Sequence, residues 1–115
     1  MEKLIPFTLT DLAKVTNHRS GEIKFGEKMH TIPKEMTPMD FLKTCEAKYV
    51  LFGIPEDIGI RANYGRPGAA SAWESAIKSI ANIQHNRFNK GSQLLILGHL
   101  DVSEEMKAVE NLDFN

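Results

Sequence analysis

The pattern of apolar and polar positions divides the chain into an uneven first third and an ordered remainder. Leu9, Leu12, Ala13 and Val15 form one apolar face of a short helix, with Thr8 or Thr10 as its cap. Asn17-His18-Arg19-Ser20-Gly21-Glu22 and Gly26-Glu27-Lys28 then break any period. Residues 1–36 therefore read as an irregular arm with that short helix and an extended piece at Ile23-Lys24-Phe25. Thr37-Pro38-Met39-Asp40 opens the ordered part. Threonine caps, proline suits the first helical position, and an aspartate three residues after the threonine completes a capping box. The helix it starts is expected to run to about Ala47 and to bury Phe41, Leu42 and Cys45.

Tyr49-Val50-Leu51-Phe52-Gly53-Ile54 is a continuous apolar run, as in a strand buried on both faces of a parallel sheet. Pro55 ends it, and Gly59, Gly65, Pro67 and Gly68 mark a long loop. From Ala69 the period becomes helical: Trp73, Ala76, Ile77, Ile80 and Ile83 share one face. Asn89, Gly91 and Ser92 make a turn, Leu94-Leu95-Ile96-Leu97 a second apolar strand, and Ser103 starts a last helix with Glu104 and Glu105 in its first turn. Strand, loop, helix and strand make a βαβ unit, so the fold class is α/β, a parallel sheet flanked by helices over residues 37–115. Two doubly apolar strands need more cover than these helices supply. The architecture reads as incomplete, and self-association through an exposed sheet edge is one way to complete it.

The chain has 115 residues, enough for one domain. With 14 basic and 15 acidic residues mixed along it, no basic stripe forms and nucleic-acid binding is not expected. No apolar run is long enough to span a bilayer, and residues 1–10 do not make a signal peptide. The single cysteine, Cys45, excludes an internal disulfide; a reducing, cytoplasmic location is expected. His18, His30, His85 and His99 are scattered without metal-ligand spacing. Gly98-His99-Leu100-Asp101 pairs a histidine and an aspartate on one side of an extended segment, a pattern equally native to a polar strand end. His85 falls at a helix C-terminus, where a positive group is favourable. Neither a catalytic residue nor a metal ligand is assigned.

Ligands of open α/β sheets sit at the carboxyl ends of strands, which directs attention to the loop after Ile54. Arg61, Asn63 and Arg66 offer hydrogen-bond donors there, and the next helix points its N-terminus at the same space. The set fits a carboxylate or phosphate; it equally fits a structural role in which the arginines pair with Glu56 and Asp57. The loop is neither a P-loop nor a dinucleotide fingerprint.

Gly53-Ile54-Pro55-Glu56-Asp57-Ile58-Gly59-Ile60-Arg61-Ala62-Asn63-Tyr64-Gly65-Arg66-Pro67-Gly68-Ala69 resembles the first strand and loop of the ureohydrolase family of arginases, agmatinases and formimidoylglutamases. The Asp-x-Gly-x-Arg-x-Asn-x-Gly-Arg-x-Gly-Ala pattern is most similar to the formimidoylglutamase branch. The resemblance covers residues 49 to about 80, with Leu94 to Gly98 as a second strand; Trp73 departs from it, standing near where many members carry a proline. It implies an arginase-like three-layer fold, of which this chain is an N-terminal part. It implies a hydrolase in which two manganese ions activate a water that attacks a guanidino or formimidoyl carbon of a small amino-acid-like substrate. Arg61, Asn63 and Arg66 would lie on the substrate side. The family's ligand motifs, Gly-Gly-x-His, Asp-Ala-His-x-Asp and Ser-x-Asp-x-Asp-x-x-Asp, do not occur in these residues, so no cofactor is expected in this chain alone and the chain alone is expected to be inactive. The alternative is a non-catalytic binding or assembly module with a small-anion-binding loop.

Overall fold

The computed structural model describes residues 3–63, 65, 68 and 71–110, with the backbone alone at residues 59 and 60. The chain is a mixed α/β structure on a four-stranded mixed sheet. Its elements are β1 (Leu4–Pro6), α1 (Leu9–Val15), β2 (His30–Thr31), α2 (Pro38–Thr44), β3 (Tyr49–Gly53), α3 (Ile58–Ala62), α4 (Ala72–Ala81), β4 (Leu94–Leu100) and α5 (Ser103–Val109). Short 3-10 turns occur at Phe25–Glu27 and Gly91–Gln93.

β4 is the central strand. β3 runs parallel to it along nearly its whole length, from Tyr49 opposite Leu94 to Gly53 opposite His99. β2 pairs in parallel with Leu95 and Ile96, and β1 pairs antiparallel with Gly98, His99 and Leu100. Because the β1 and β2 registers on β4 do not overlap while β3 spans both, β1 and β2 share one side of β4 and β3 takes the other. The β3–β4 ladder carries an irregularity: Leu51 opposes Ile96 but Phe52 opposes Gly98, which leaves Leu97 as the extra residue on β4. Gly98 sits in that bulge at φ +139°, and a Cβ there would stand 2.1 Å from the Ile5 carbonyl oxygen. Glycine is what lets β1 approach.

The βαβ unit is present with parallel strands, as its apolar runs predict. The arm carries the short helix expected of it, α1, but is less irregular than its sequence suggests. It supplies β1 and β2 to the sheet, and its Leu12, Phe25 and Met29 form one buried cluster with Ile77, Ala81 and Ile96. Thr8 is the cap of α1, in a reciprocal box with Asp11: the Asp11 N–H donates to Thr8 Oγ1 at 3.1 Å and the Thr8 N–H to Asp11 Oδ2 at 2.9 Å. The extended piece around Ile23 is reduced to an isolated bridge between Lys24 and Gln84, followed by the turn at Phe25.

α2 begins at the predicted place, with Pro38 at its first turn and the Asp40 N–H donating to Thr37 Oγ1 at 3.2 Å, which is one half of the expected capping box. It ends at Thr44, so Cys45 is a partly buried cap residue, and α2 buries no side chain fully. α4 buries Ile77 and Ala81 with Trp73 and Ile80 half-buried against the cluster. Ala76 is exposed, and Ile83 lies past the helix end and is exposed too. The buried stripe is thus turned slightly from the one the sequence implies, because α1 and the Phe25 turn dock on one flank of α4.

The largest departure concerns β3. β4 is buried on both faces, with the adjacent Leu95 and Ile96 both at 0% exposure. β3 is not: Tyr49, Val50, Phe52 and Ile54 are 59%, 43%, 54% and 53% exposed. Its apolar run reads as doubly buried, yet among the described residues it pairs with β4 alone, and only Leu51 and Gly53 pack inward, Leu51 on the buried cluster and Gly53 under Trp73 of α4. The Cα radius of gyration is 16.5 Å, against about 13 Å for a fully packed chain of this length. Among the described residues no helix is long and apolar enough to cross a membrane.

Candidate functional site

The parallel pairing of β3 and β4 brings their carboxyl ends together, so the loop after Ile54 starts beside His99 and Asp101. The loop has internal structure that its glycines do not announce. Its centre is Asp57, which is 3% exposed. Asp57 Oδ1 accepts from Arg61 Nε at 2.8 Å, and Oδ2 accepts from the Gly68 N–H at 2.9 Å. The two bonds tie the start of α3 to its last turn and to a residue eleven positions on. Ser71, just before α4, donates through Oγ to the Gly68 carbonyl at 3.0 Å. Glu56 Oε2 accepts from the Ile58 N–H at 2.6 Å and steadies the entry to α3.

One buried carboxylate thus closes the loop on itself and fixes its join to α4. The Arg61 guanidinium, and after it the Gly68 N–H, hold the Asp57 carboxyl below its ordinary range. Both bonds are to the ionised form and are charge-assisted.

Of the predicted substrate-side residues, Arg61 is partly buried and its Nε is engaged by Asp57, as the structural alternative anticipates. The partner seen for Arg61 is Asp57. Asn63 is exposed in the turn after α3. Arg66 lies outside the described residues, as does Tyr64. Sequence reasoning named Asp57 only as a possible partner for arginine. Its central place follows from burial, which a polar, glycine-rich loop does not signal.

Next to this loop, Pro55, His99, Asp101, Ser103 and Met106 border a small cavity of about 220 Å³. β4 extends to Leu100, further than its apolar run, and this puts His99 inside the strand. Asp101 Oδ1 accepts from the Ser103 N–H at 3.1 Å, so Asp101, one residue before the Val102 cap, satisfies the first N–H of α5. Hydrogen bonding to Ser103 lowers its carboxyl below the usual value. A larger cavity of about 390 Å³ lies between the start of α1 and the segment after β2, bordered by Thr8, Leu9, Ile32, Pro33, Lys34 and Glu35. Volume alone does not make it the stronger candidate, because none of its lining residues comes from the loop after β3 or from the end of β4.

The remaining histidines have structural partners. His85 Nδ1 accepts from the Gly91 N–H at 3.0 Å, and its ring stands edge-on to Phe25 with centroids 6.4 Å apart. It therefore holds the turn before β4, where the sequence suggested only a favourable helix end. His30 Nε2 lies 3.0 Å from the Ser92 carbonyl oxygen, and His18 Nδ1 lies 3.0 Å from Glu27 Oε1. Among the described residues, no three of His, Cys, Asp and Glu converge in a way that could hold a metal ion. The carboxylates nearest the site, Asp57 and Asp101, are committed to main-chain and arginine donors.

Compared with protein-family models, with curated proteins and with solved structures, the chain has no significant match to any of them.

Proposed function

We propose that this chain is the N-terminal βαβ portion of a ureohydrolase-type enzyme, closest to formimidoylglutamases, and that it builds part of the substrate-side wall. The observation that supports the reading most is the closed loop at the carboxyl end of β3. Asp57 ties Arg61 and Gly68 into a fixed turn directly beside the end of β4, where α/β sheets receive ligands. In this reading the strand-and-loop pattern belongs to an arginase-like three-layer fold, and Asn63 and Arg66 bind a small amino-acid-like substrate. Arg61 shapes the loop through Asp57 and contributes its charge from there. The protein works in the cytoplasm, in keeping with a lone thiol, Cys45, and no cysteine to pair with it.

The described residues do not fit a manganese pair, and no step of the reaction is assigned to them. Metal ligands and the hydrolytic step are proposed to come from chain outside these 115 residues. The test is to express the natural reading frame at its full length. Bound manganese by elemental analysis is expected, together with amine or amide release from formimidoylglutamate or a guanidino substrate. Asn63→Ala and Arg66→Ala are expected to raise KM more than they lower kcat. A full-length protein that binds no manganese and hydrolyses none of these substrates would show the assignment to be wrong.

A further inference from the structure

We propose that His85 is a proton-operated latch: neutral, it clamps the turn of residues 86–90 against the Phe25 turn, and protonated, it lets that turn go. The Gly91 N–H donates to His85 Nδ1 at 3.0 Å. A backbone N–H can only donate, so Nδ1 must carry its lone pair and the ring must be neutral, with its proton on Nε2. A proton on Nδ1 would turn two N–H groups toward each other and end the bond. The other bonded rings are placed differently. His30 Nε2 faces the Ser92 carbonyl oxygen and His18 Nδ1 faces the Glu27 carboxylate, both at 3.0 Å, so each donates there and protonation leaves its bond in place. Among the described residues, only the His85 bond is one that a proton on the ring breaks. Its contribution is present while the ring is neutral and is lost as pH falls through the ring's titration.

The bond closes a tight joint. Gly91 is buried, and a Cβ there would stand 2.7 Å from the Phe25 carbonyl oxygen and 2.8 Å from Phe25 Cα. Loss of the imidazole acceptor therefore leaves a buried donor unpaired. The His85 N–H donates to the Ile23 carbonyl at 2.7 Å, so the near end of the latch stays tied while the far end opens. The released piece is a unit. Asn86 Oδ1 accepts from the Phe88 and Asn89 N–H groups at 2.8 and 2.9 Å, and the Asn86 N–H donates to the Asn89 carbonyl at 2.9 Å. It carries Phe88, 78% exposed, with the Arg87 guanidinium 4.8 Å from its ring centre. The charged groups on the elements around the ring are Glu22, Lys24, Glu27 and Lys28 beside the Phe25 turn, Arg87 and Lys90 in the turn itself, and Lys78 in the last turn of α4. His30 stands beyond Ser92. Both carboxylates are engaged, Glu22 with Lys24 Nζ at 2.9 Å and Glu27 with the Lys24 N–H at 2.6 Å and with His18. The remaining charges are cations and offer an imidazolium no partner, so charging the ring favours its release. The latch lies at the amino end of β4 and does not rest on the ureohydrolase reading, so either can fail without the other.

NMR on the whole 115-residue chain, between roughly pH 8 and pH 5 where histidine titrates, tests the latch. Proton–nitrogen correlation spectra of the ring at the upper pH are expected to show the Nε2–H tautomer with a bare Nδ1. Hydrogen-exchange protection of the Gly91 amide, corrected for intrinsic rate, is expected to fall at least about tenfold as the ring titrates. The amides of Leu95 and Ile96 in β4 are expected to keep theirs. His85→Asn places an acceptor that does not titrate near the same point, and is expected to abolish the pH dependence at Gly91. An Nδ1–H tautomer at the upper pH overturns the proposal, as does Gly91 protection that stays level across the range. So does a loss that Leu95 and Ile96 share in full, which is global unfolding, or a folded His85→Asn chain whose Gly91 protection falls as steeply as in wild type.

Discussion

Gly53 is the last residue of β3 and the one against which α4 seats its tryptophan. A Cβ at this position would lie 2.4 Å from Trp73 Cδ2, 2.6 Å from Cε3 and 2.7 Å from Cγ. Carbon atoms pack at about 3.5–4.0 Å, so Gly53→Ala requires the indole to retreat by roughly 1 Å. Overpacking of this kind costs about 1–3 kcal/mol. Alanine returns up to about 1 kcal/mol, because glycine loses more conformational freedom on folding. The net expectation is a loss of roughly 1–2 kcal/mol, or about 4–8 °C in melting temperature for a domain near this size. Trp73 is the single tryptophan, so its fluorescence reports the event directly. Urea unfolding should show the lost stability, and native emission should shift to the red as the half-buried ring is pushed outward. Pairing the change with Trp73→Leu separates the contact from any backbone effect, since most of the penalty should vanish once the ring is gone. A Gly53→Ala protein as stable as wild type, or one whose penalty survives in full beside Trp73→Leu, would refute the reasoning.

Other expectations concern the loop and the arm. The Asp57 carboxyl is held below its ordinary value in the folded chain, so its bonds stabilise the fold above about pH 4, the ordinary carboxylate value, and that contribution is lost as pH falls through the lower folded value. Asp57→Asn should therefore flatten the acid limb of the stability curve below about pH 4. It should also speed hydrogen exchange at the Gly68 amide, and unchanged exchange there would mean that the carboxylate does not close the loop. Thr8→Ala removes the acceptor for the Asp11 N–H and should cost about 1 kcal/mol in urea unfolding. A loss well under half that would show that the bond from the Thr8 N–H to Asp11 suffices to cap α1.

Caps and periods were legible from the chain because they are local. Thr37 and Pro38 open α2 as their chemistry dictates, and Thr8 does the same for α1. The alternation into two parallel strands and a connecting helix followed from the runs at Tyr49 and Leu94 and the face carrying Trp73 and Ile77. Arg61 could be placed in the loop, and a carboxylate could be suggested as its partner. That Asp57 is buried and accepts from both Arg61 and the Gly68 N–H required the fold.

What only the tertiary structure decided was which elements share a surface. Leu94-Leu95-Ile96-Leu97 and Tyr49-Val50-Leu51-Phe52 look alike as sequence, yet the first is a central strand and the second an edge with exposed side chains. The difference arises because β1 and β2, drawn from an arm with no strong period, pair with β4, while among the described residues no second strand pairs with β3. Strand order is a long-range choice, and a hydrophobic run records that a strand wants burial without recording which neighbour provides it. The sequence by itself determined that the chain is α/β, where its helices start and where its loop must turn. Only the fold decided that a buried Asp57 would organise that loop, and that the apolar run of β3 would pair, among the described residues, with β4 alone.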